Sequence, residues 1–241
     1  KMEMFSPLES IRLRKKSNHA AVKEQPQKRN AVRRSRLSGV NTREIALISV
    51  FSALWVTSEI TLGDIVGQTF QIHGVVQRLV GWLLMPILAE VTGRFGRVSL
   101  MAAIAALATR MIRRSGGLYP WMVGLGYALG GLAFDLLFFT PFSKSLEGKN
   151  RRIYLLTISL VSGTVAIIPY VLYRLFTFLL SSEAWLPIFI AWMFGPPSFY
   201  ALDAVRSIVL SVLGTLVGMS IMPQIRAALP NFPARVRSYA E

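Results

Sequence analysis

The chain has 241 residues, 53% of them hydrophobic and 16% charged, with a net charge of +15 and a mean hydropathy of +0.47. A soluble domain carries about 25% charged residues, so this composition excludes an ordinary soluble fold, and the absence of cysteine excludes disulfides, thiolate metal sites and cysteine nucleophiles. The positive excess would suit nucleic acid in a soluble protein; beside long apolar runs it is accounted for by membrane orientation and anionic lipid, and no nucleic-acid partner is expected.

Residues 1–43 hold twelve Lys and Arg against three acids, Glu3, Glu9 and Glu24. The stretch from Leu8 to Arg43, interrupted by Gln25-Pro26-Gln27, has neither the apolar middle of a secretory signal nor the acid-free composition of a transit peptide. It reads as a largely disordered cytoplasmic arm that meets anionic lipid headgroups.

From residue 44 onward apolar runs dominate. About 18 apolar residues suffice to cross the hydrocarbon core, which is about 30 Å thick, at about 1.5 Å per residue. The pattern predicts an all-α integral membrane protein: a six-helix transmembrane bundle over 44–225 followed by a short cytoplasmic tail, 226–241. The spans are placed at 44–62, 74–92, 97–113, 118–140, 153–180 and 200–222, the fifth long enough to tilt or to kink at Pro169. Between the last two, Trp185 to Pro197 is apolar but too short to cross, and Gly195-Pro196-Pro197 stops it; it should lie at the interface or fold back as a cap.

Loop charge sets the orientation. Arg94 and Arg97, then Lys144, Lys149, Arg151 and Arg152, then Arg226, Arg235 and Arg237 fall on the side of the basic arm, whereas the first and fifth connections carry Glu59, Asp64 and Glu183. Six spans then leave both termini in the cytoplasm of a multi-pass plasma-membrane protein. Arg110, Arg113 and Arg114 fall on the outer side against this rule.

Charged groups at membrane depth are costly and usually face the protein interior or a watery cavity. Glu59, His73, Gln77, Arg78, Arg110, Arg174, Asp203 and Arg206 gather toward the outer ends of the spans, accompanied by Trp55, Trp82, Trp121, Tyr170, Tyr173, Trp192 and Tyr200; Glu90 and Asp135 lie toward the inner ends. Polar groups converging among apolar walls are the usual make-up of a small-molecule pocket. The candidate pocket residues are Glu59, Gln71, His73, Gln77, Arg78, Trp121, Tyr170, Trp192 and Asp203, with Glu59 and Asp203 holding cationic or donor groups, Gln77 and Arg78 holding acceptors, and the aromatics stacking on a ring. The apolar setting of Glu59 calls for a cationic ring or an arginine opposite it. Asp135, deep on the inner side, is expected to pair with Arg94, Arg97 or a helix of another protein.

Small residues at helical spacing let backbones approach closely. Ala46, Ser49 and Ala53 form such a stripe on the first span, and Ala102 and Ala106 belong to an alanine face on the third. Most small residues serve packing within the bundle, but either of these faces is a candidate for docking a separate membrane protein. No Gly-Lys-Ser/Thr phosphate loop, His-Glu-x-x-His or Gly-x-Ser-x-Gly motif occurs, and only two histidines are present, His19 and His73. A catalytic role, a cofactor and a metal site are therefore not expected.

The opening Thr42-Arg43-Glu44-Ile45-Ala46-Leu47-Ile48, the stripe that follows it, Gly93-Arg94-Phe95-Gly96 before the alanine-rich third span, and the glycines from Gly124 to Gly131 together resemble the substrate-binding S components of energy-coupling-factor vitamin transporters, most nearly the hydroxymethylpyrimidine or thiamine branch. The likeness covers about 44–222; the basic arm and the arginines at 110–114 depart from the usual pattern. The resemblance implies capture of a vitamin or vitamin precursor from outside by a subunit that docks on a transmembrane coupling protein driven by ATPase subunits. Two alternatives remain: a non-catalytic docking subunit of a larger membrane complex, and an intramembrane enzyme or ion-coupled carrier. The last would need acids near the midplane and paired interrupted halves, which the sequence lacks.

Overall fold

The computed structural model describes residues 41–70, 74–113, 117–140, 151–196 and 200–228. The basic arm up to residue 40, Gln71 and His73 lie outside the described residues, and the expected C-terminal tail, 226–241, lies outside them beyond 228, its first residues belonging to the last helix. The chain divides into two units between Thr42 and Arg43. From this boundary onward the described residues form the helices α1 (Thr42–Phe70), α2 (Val75–Thr92), α3 (Arg97–Arg113), α4 (Tyr119–Phe138), α5 (Arg151–Val165), α6 (Ile168–Ser181), α7 (Trp185–Phe194) and α8 (Tyr200–Ala228).

Among the described residues five stretches are long and apolar enough to cross a membrane: α1, α2, α4, α5 with α6 as one interrupted 31-residue unit, and α8. The sixth expected span, α3, has 17 residues, about 25 Å of helix, and carries Arg97, Arg110 and Arg113 within that length. The first span extends to Phe70 rather than ending at 62. The interruption of the fifth falls at Ala166-Ile167, with Pro169 in the first turn of α6, where its missing N–H and fixed φ are tolerated. α7 is the short apolar helix expected between the last two spans, and it buries none of its residues.

Helix contacts explain the small residues. On α8, Gly214 and Gly218 lie against the α2 backbone; a Cβ at Gly218 would sit 2.5 Å from the Leu83 carbonyl oxygen. On α4, a Cβ at Gly131 would sit 2.5 Å from that of Ala102. Ala102 and Ala106 are accordingly buried between α3 and α4. The alanine face of α3 is thus used inside the bundle and is not the free docking surface expected of it. Ala46, Ser49 and Ala53 are exposed along α1. The core between the helices is filled by Trp55, Trp82, Met85, Leu88, Met101 and Phe134.

α3 runs parallel to α1. Its first residue, Arg97, pairs with Glu44 at 2.7 Å; the Ser52 hydroxyl donates to the Met101 carbonyl at 3.2 Å; its last residue, Arg113, reaches Asp64 at 2.5 Å. At the end of the bundle where α1 and α3 begin, Glu44 also holds Arg94 at 2.8 Å, and Glu90 pairs with Arg151. Asp135 is not paired with Arg94 or Arg97, because Glu44 takes both. Its carboxylate accepts from the Ser99 backbone N–H at 2.7 Å and the Ser99 hydroxyl at 2.6 Å, and so caps the first turn of α3 from the end of α4. A carboxylate there answers both the orphan N–H groups and the positive end of the helix. Asp135→Ala should lower stability by about 2 kcal/mol, as loss of a charged cap does, and Asp135→Asn by less. Thermal unfolding of the purified protein checks both.

Candidate ligand-binding site

At the opposite end, where α1 and α3 finish and α2, α4 and α8 begin, the helices diverge around a cavity of about 650 Å³. This falls within the range of small-molecule sites. Gln77 and Arg78 enter from α2, Arg110 and Arg113 from α3, Tyr119 and Tyr127 from α4, Tyr170 and Arg174 from α6, Trp192 from α7, and Tyr200, Asp203, Arg206 and Ser207 from α8. Ala166 and Ile167, the residues of the α5–α6 break, also line it. Irregular backbone at membrane depth is tolerated where protein covers it or where it borders a cavity. Opposite that break α4 carries Gly126, at which a Cβ would overlap the Ala166 carbonyl oxygen. Gly74, at φ 78°, turns the chain into α2 in a left-handed conformation that suits glycine.

The charges fall into three groups. Glu59, 3% exposed, lies behind the wall rather than on it. Arg110 Nη2 reaches its carboxylate at 3.3 Å, the Thr109 hydroxyl donates to it at 3.0 Å, and Arg113 donates to the Glu59 backbone carbonyl at 3.0 Å while pairing with Asp64. Arg110 and Arg113 therefore turn inward to the acids of α1, and Arg114, the third arginine against the loop-charge rule, lies outside the described residues. Asp203 and Arg206, one turn apart on α8, pair at 3.3 Å in an exposed setting. Arg78 and Arg174 have no carboxylate partner among the described residues. Arg78, 7% exposed, donates to the Gly163 carbonyl at 3.3 Å, and its guanidinium lies 4.8 Å from the Tyr127 ring centroid and 5.3 Å from that of Trp82. Arg174 donates to the Tyr170 hydroxyl at 3.2 Å and sits 5.5, 5.6 and 6.0 Å from the rings of Tyr119, Tyr170 and Trp192.

The aromatic wall is continuous. Tyr170 meets Tyr119 and Tyr200 edge-on, each at 4.9 Å, and Trp192 at 5.7 Å; Trp192 in turn stacks on Tyr200 at 4.4 Å and 19°. Trp192 ties α7 to this cluster, and Phe178 and Phe189 extend the contact away from the cavity.

Of the residues expected from sequence, Gln77, Arg78, Tyr170, Trp192 and Asp203 line the cavity together. Glu59 stands behind it with its charge engaged by Arg110, and Trp121 is 46% exposed on the bundle surface and not among the lining residues. Gln71 and His73 lie outside the described residues. Sequence reasoning left out Arg110, Arg174, Tyr119, Tyr127, Tyr200 and Arg206 as ligand contacts. Four of these, Arg110, Arg174, Tyr200 and Arg206, carried a signal in their expected place toward one shared end of the spans; the two tyrosines of α4 carried none. Among the described residues no group of three or more His, Cys, Asp or Glu side chains could hold a metal ion. The side chains assembled here suit noncovalent binding: cations on aromatic faces, a buried amide, and a lining that mixes polar groups with apolar ones.

No protein-family model, no curated protein and no solved structure matches the chain.

Proposed function

We propose that the chain is the membrane-embedded substrate-binding subunit of a small-molecule importer, of the S-component kind, taking up a water-soluble vitamin or vitamin precursor. The observation that carries this reading is the cavity: about 650 Å³, walled by aromatics, with its polar groups drawn from α2, α3, α6 and α8 at a single end of the bundle. The course of α3 beside α1, from Glu44 to Asp64, supports counting it as a sixth crossing despite its length. Six crossings place both termini on one side. The end away from the cavity carries Arg43, Arg94, Arg97, Arg151 and Arg152, which supports a cytoplasmic assignment for it and an outward-facing cavity. The exposed stripe Ala46, Ser49 and Ala53 is offered as the face toward a coupling subunit, with ATPase subunits supplying the energy.

Titration of the purified protein with a panel of water-soluble vitamins, followed by tryptophan fluorescence, tests the reading because Trp192 forms part of the wall. Saturable quenching at sub-micromolar ligand, weakened by Gln77→Ala, is expected. Silence across the panel removes the reading. Gentle extraction that recovers a stoichiometric membrane oxidoreductase in place of ATPase subunits would favour the docking-subunit alternative.

A further inference from the structure

We infer that the cavity takes a planar organic anion, a ring bearing a carboxylate or phosphate, and that Arg78 and Arg174 are the residues that select its charge; this rests on reading the cavity as a binding site. The charge balance of the lining is one-sided. Among the described residues five arginines line the cavity, Arg78, Arg110, Arg113, Arg174 and Arg206, against a single lining acid, Asp203. The seven acids among the described residues are nearly all engaged elsewhere. Glu44 holds Arg94 and Arg97, Glu90 holds Arg151, and Asp135 caps α3. Glu59 and Asp64 serve Arg110 and Arg113, and Asp203 serves Arg206. Glu183 is exposed, past the end of α6. The stretches 71–73, 114–116 and 197–199, next to lining residues, contain no acid and add a further arginine, Arg114.

Two guanidiniums thus face the cavity without a counter-charge among the described residues, one buried and one partly buried. Resting a guanidinium on ring faces offsets only part of the cost of withdrawing it from water. A carboxylate or phosphate oxygen placed between them would be met by charge-assisted, geometrically matched donors. The rings that carry both cations, Tyr127 for the first and Tyr119 and Tyr170 for the second, are the surfaces on which a flat ligand body would lie. Thiamine itself is a cation and a poor match to this lining; its diphosphate is a good one. The sequence-based expectation that Glu59 and Asp203 would hold a cationic ligand group is replaced, because both acids already hold arginines.

Anionic lipid offers the same phosphate chemistry as a soluble metabolite, so the test separates the two sources. The full chain is placed in nanodiscs of phosphatidylcholine and titrated with matched pairs that differ in charge: thiamine diphosphate against thiamine, flavin mononucleotide against riboflavin, nicotinate against nicotinamide. The anionic member of at least one pair should bind at least tenfold more tightly than its partner. Arg174→Gln and Arg78→Gln should each weaken it tenfold or more, Arg174→Lys less, and Arg94→Gln, at the far end of the bundle, should leave it unchanged. Native mass spectrometry after exchange into phosphatidylglycerol forms the second arm. Retention of that lipid by the wild type but not by Arg174→Gln, with no soluble anion bound, would keep the anion selectivity and remove the capture of a soluble substrate. Equal or tighter binding of a neutral or cationic member would overturn the anion inference and leave the capture reading standing. Absence of both soluble anion and retained lipid would overturn both.

Discussion

Replacing Glu59 by Gln should cost about 3–5 kcal/mol of stability, the amount lost when one partner of a buried ion pair is removed and the other charge remains. Its carboxylate is the closest acid to Arg110, whose side chain is 9% exposed, and Arg113 retains only Asp64, which is itself half exposed to solvent. The variant keeps the shape and the Thr109 hydrogen bond but not the charge, so any packing loss is small and the deficit reports electrostatics. Because the cost comes from the abandoned cation, the double variant Glu59→Gln with Arg110→Gln should recover a large part of it, and a double-variant cycle should give a coupling of more than about 1 kcal/mol. Thermal unfolding in neutral-lipid nanodiscs measures both. An unchanged midpoint for the single variant would mean that Arg110 and Arg113 are solvated and that the arginine-lined wall is not held in place by α1.

That pairing illustrates where sequence reasoning stops. The apolar runs were legible because crossing a hydrocarbon core needs a fixed length of helix; α2 and α4 appear where the pattern puts them, and α1 and α8 begin where it puts them but run on to Phe70 and Ala228. The clustering of Arg78, Tyr170, Trp192 and Asp203 was legible because depth in the membrane follows from position along each span. Neutralisation was not legible. Glu59 and Arg110 are 51 positions apart, and Glu44 and Arg97 are 53 apart. Only the parallel run of α1 and α3 brings these pairs together. Without that, Glu59 calls equally for a cationic ring or an arginine, and Arg110 and Arg113 simply stand against the loop-charge rule. The same limit hid the sign of the cavity, since five arginines and one acid can be counted only after the lining is known. Whether the alanines of α3 pack inside the bundle or face outward was not legible for a related reason. A small residue permits close approach but does not say whose backbone approaches, and here it is that of α4 at Gly131.

The second large effect is expected at Gly126. A methyl group there would overlap the Ala166 carbonyl oxygen, a backbone atom at the break between α5 and α6 that cannot rotate away as a side chain can. Relief requires α4 to part from the α5–α6 break, and α4 is in close contact with both segments. Gly126→Ala should therefore lower stability by about 3 kcal/mol, at the upper end of what one added methyl does in a packed interior. It should also damage binding beyond that loss. Ala166 and Ile167 line the cavity, and Tyr127, which carries the Arg78 guanidinium, is the next residue on α4. A shift of α4 thus separates the cation from its ring and widens the wall in one movement. Gly124→Ala is the control on the same helix, because its Cβ would come no closer than 3.4 Å to a flexible arginine side chain. Thermal unfolding and ligand titration at a temperature where all three proteins remain folded separate the two consequences. If Gly126→Ala matches the wild type in both, the α5–α6 break is not seated against α4, and the cavity loses one of its walls.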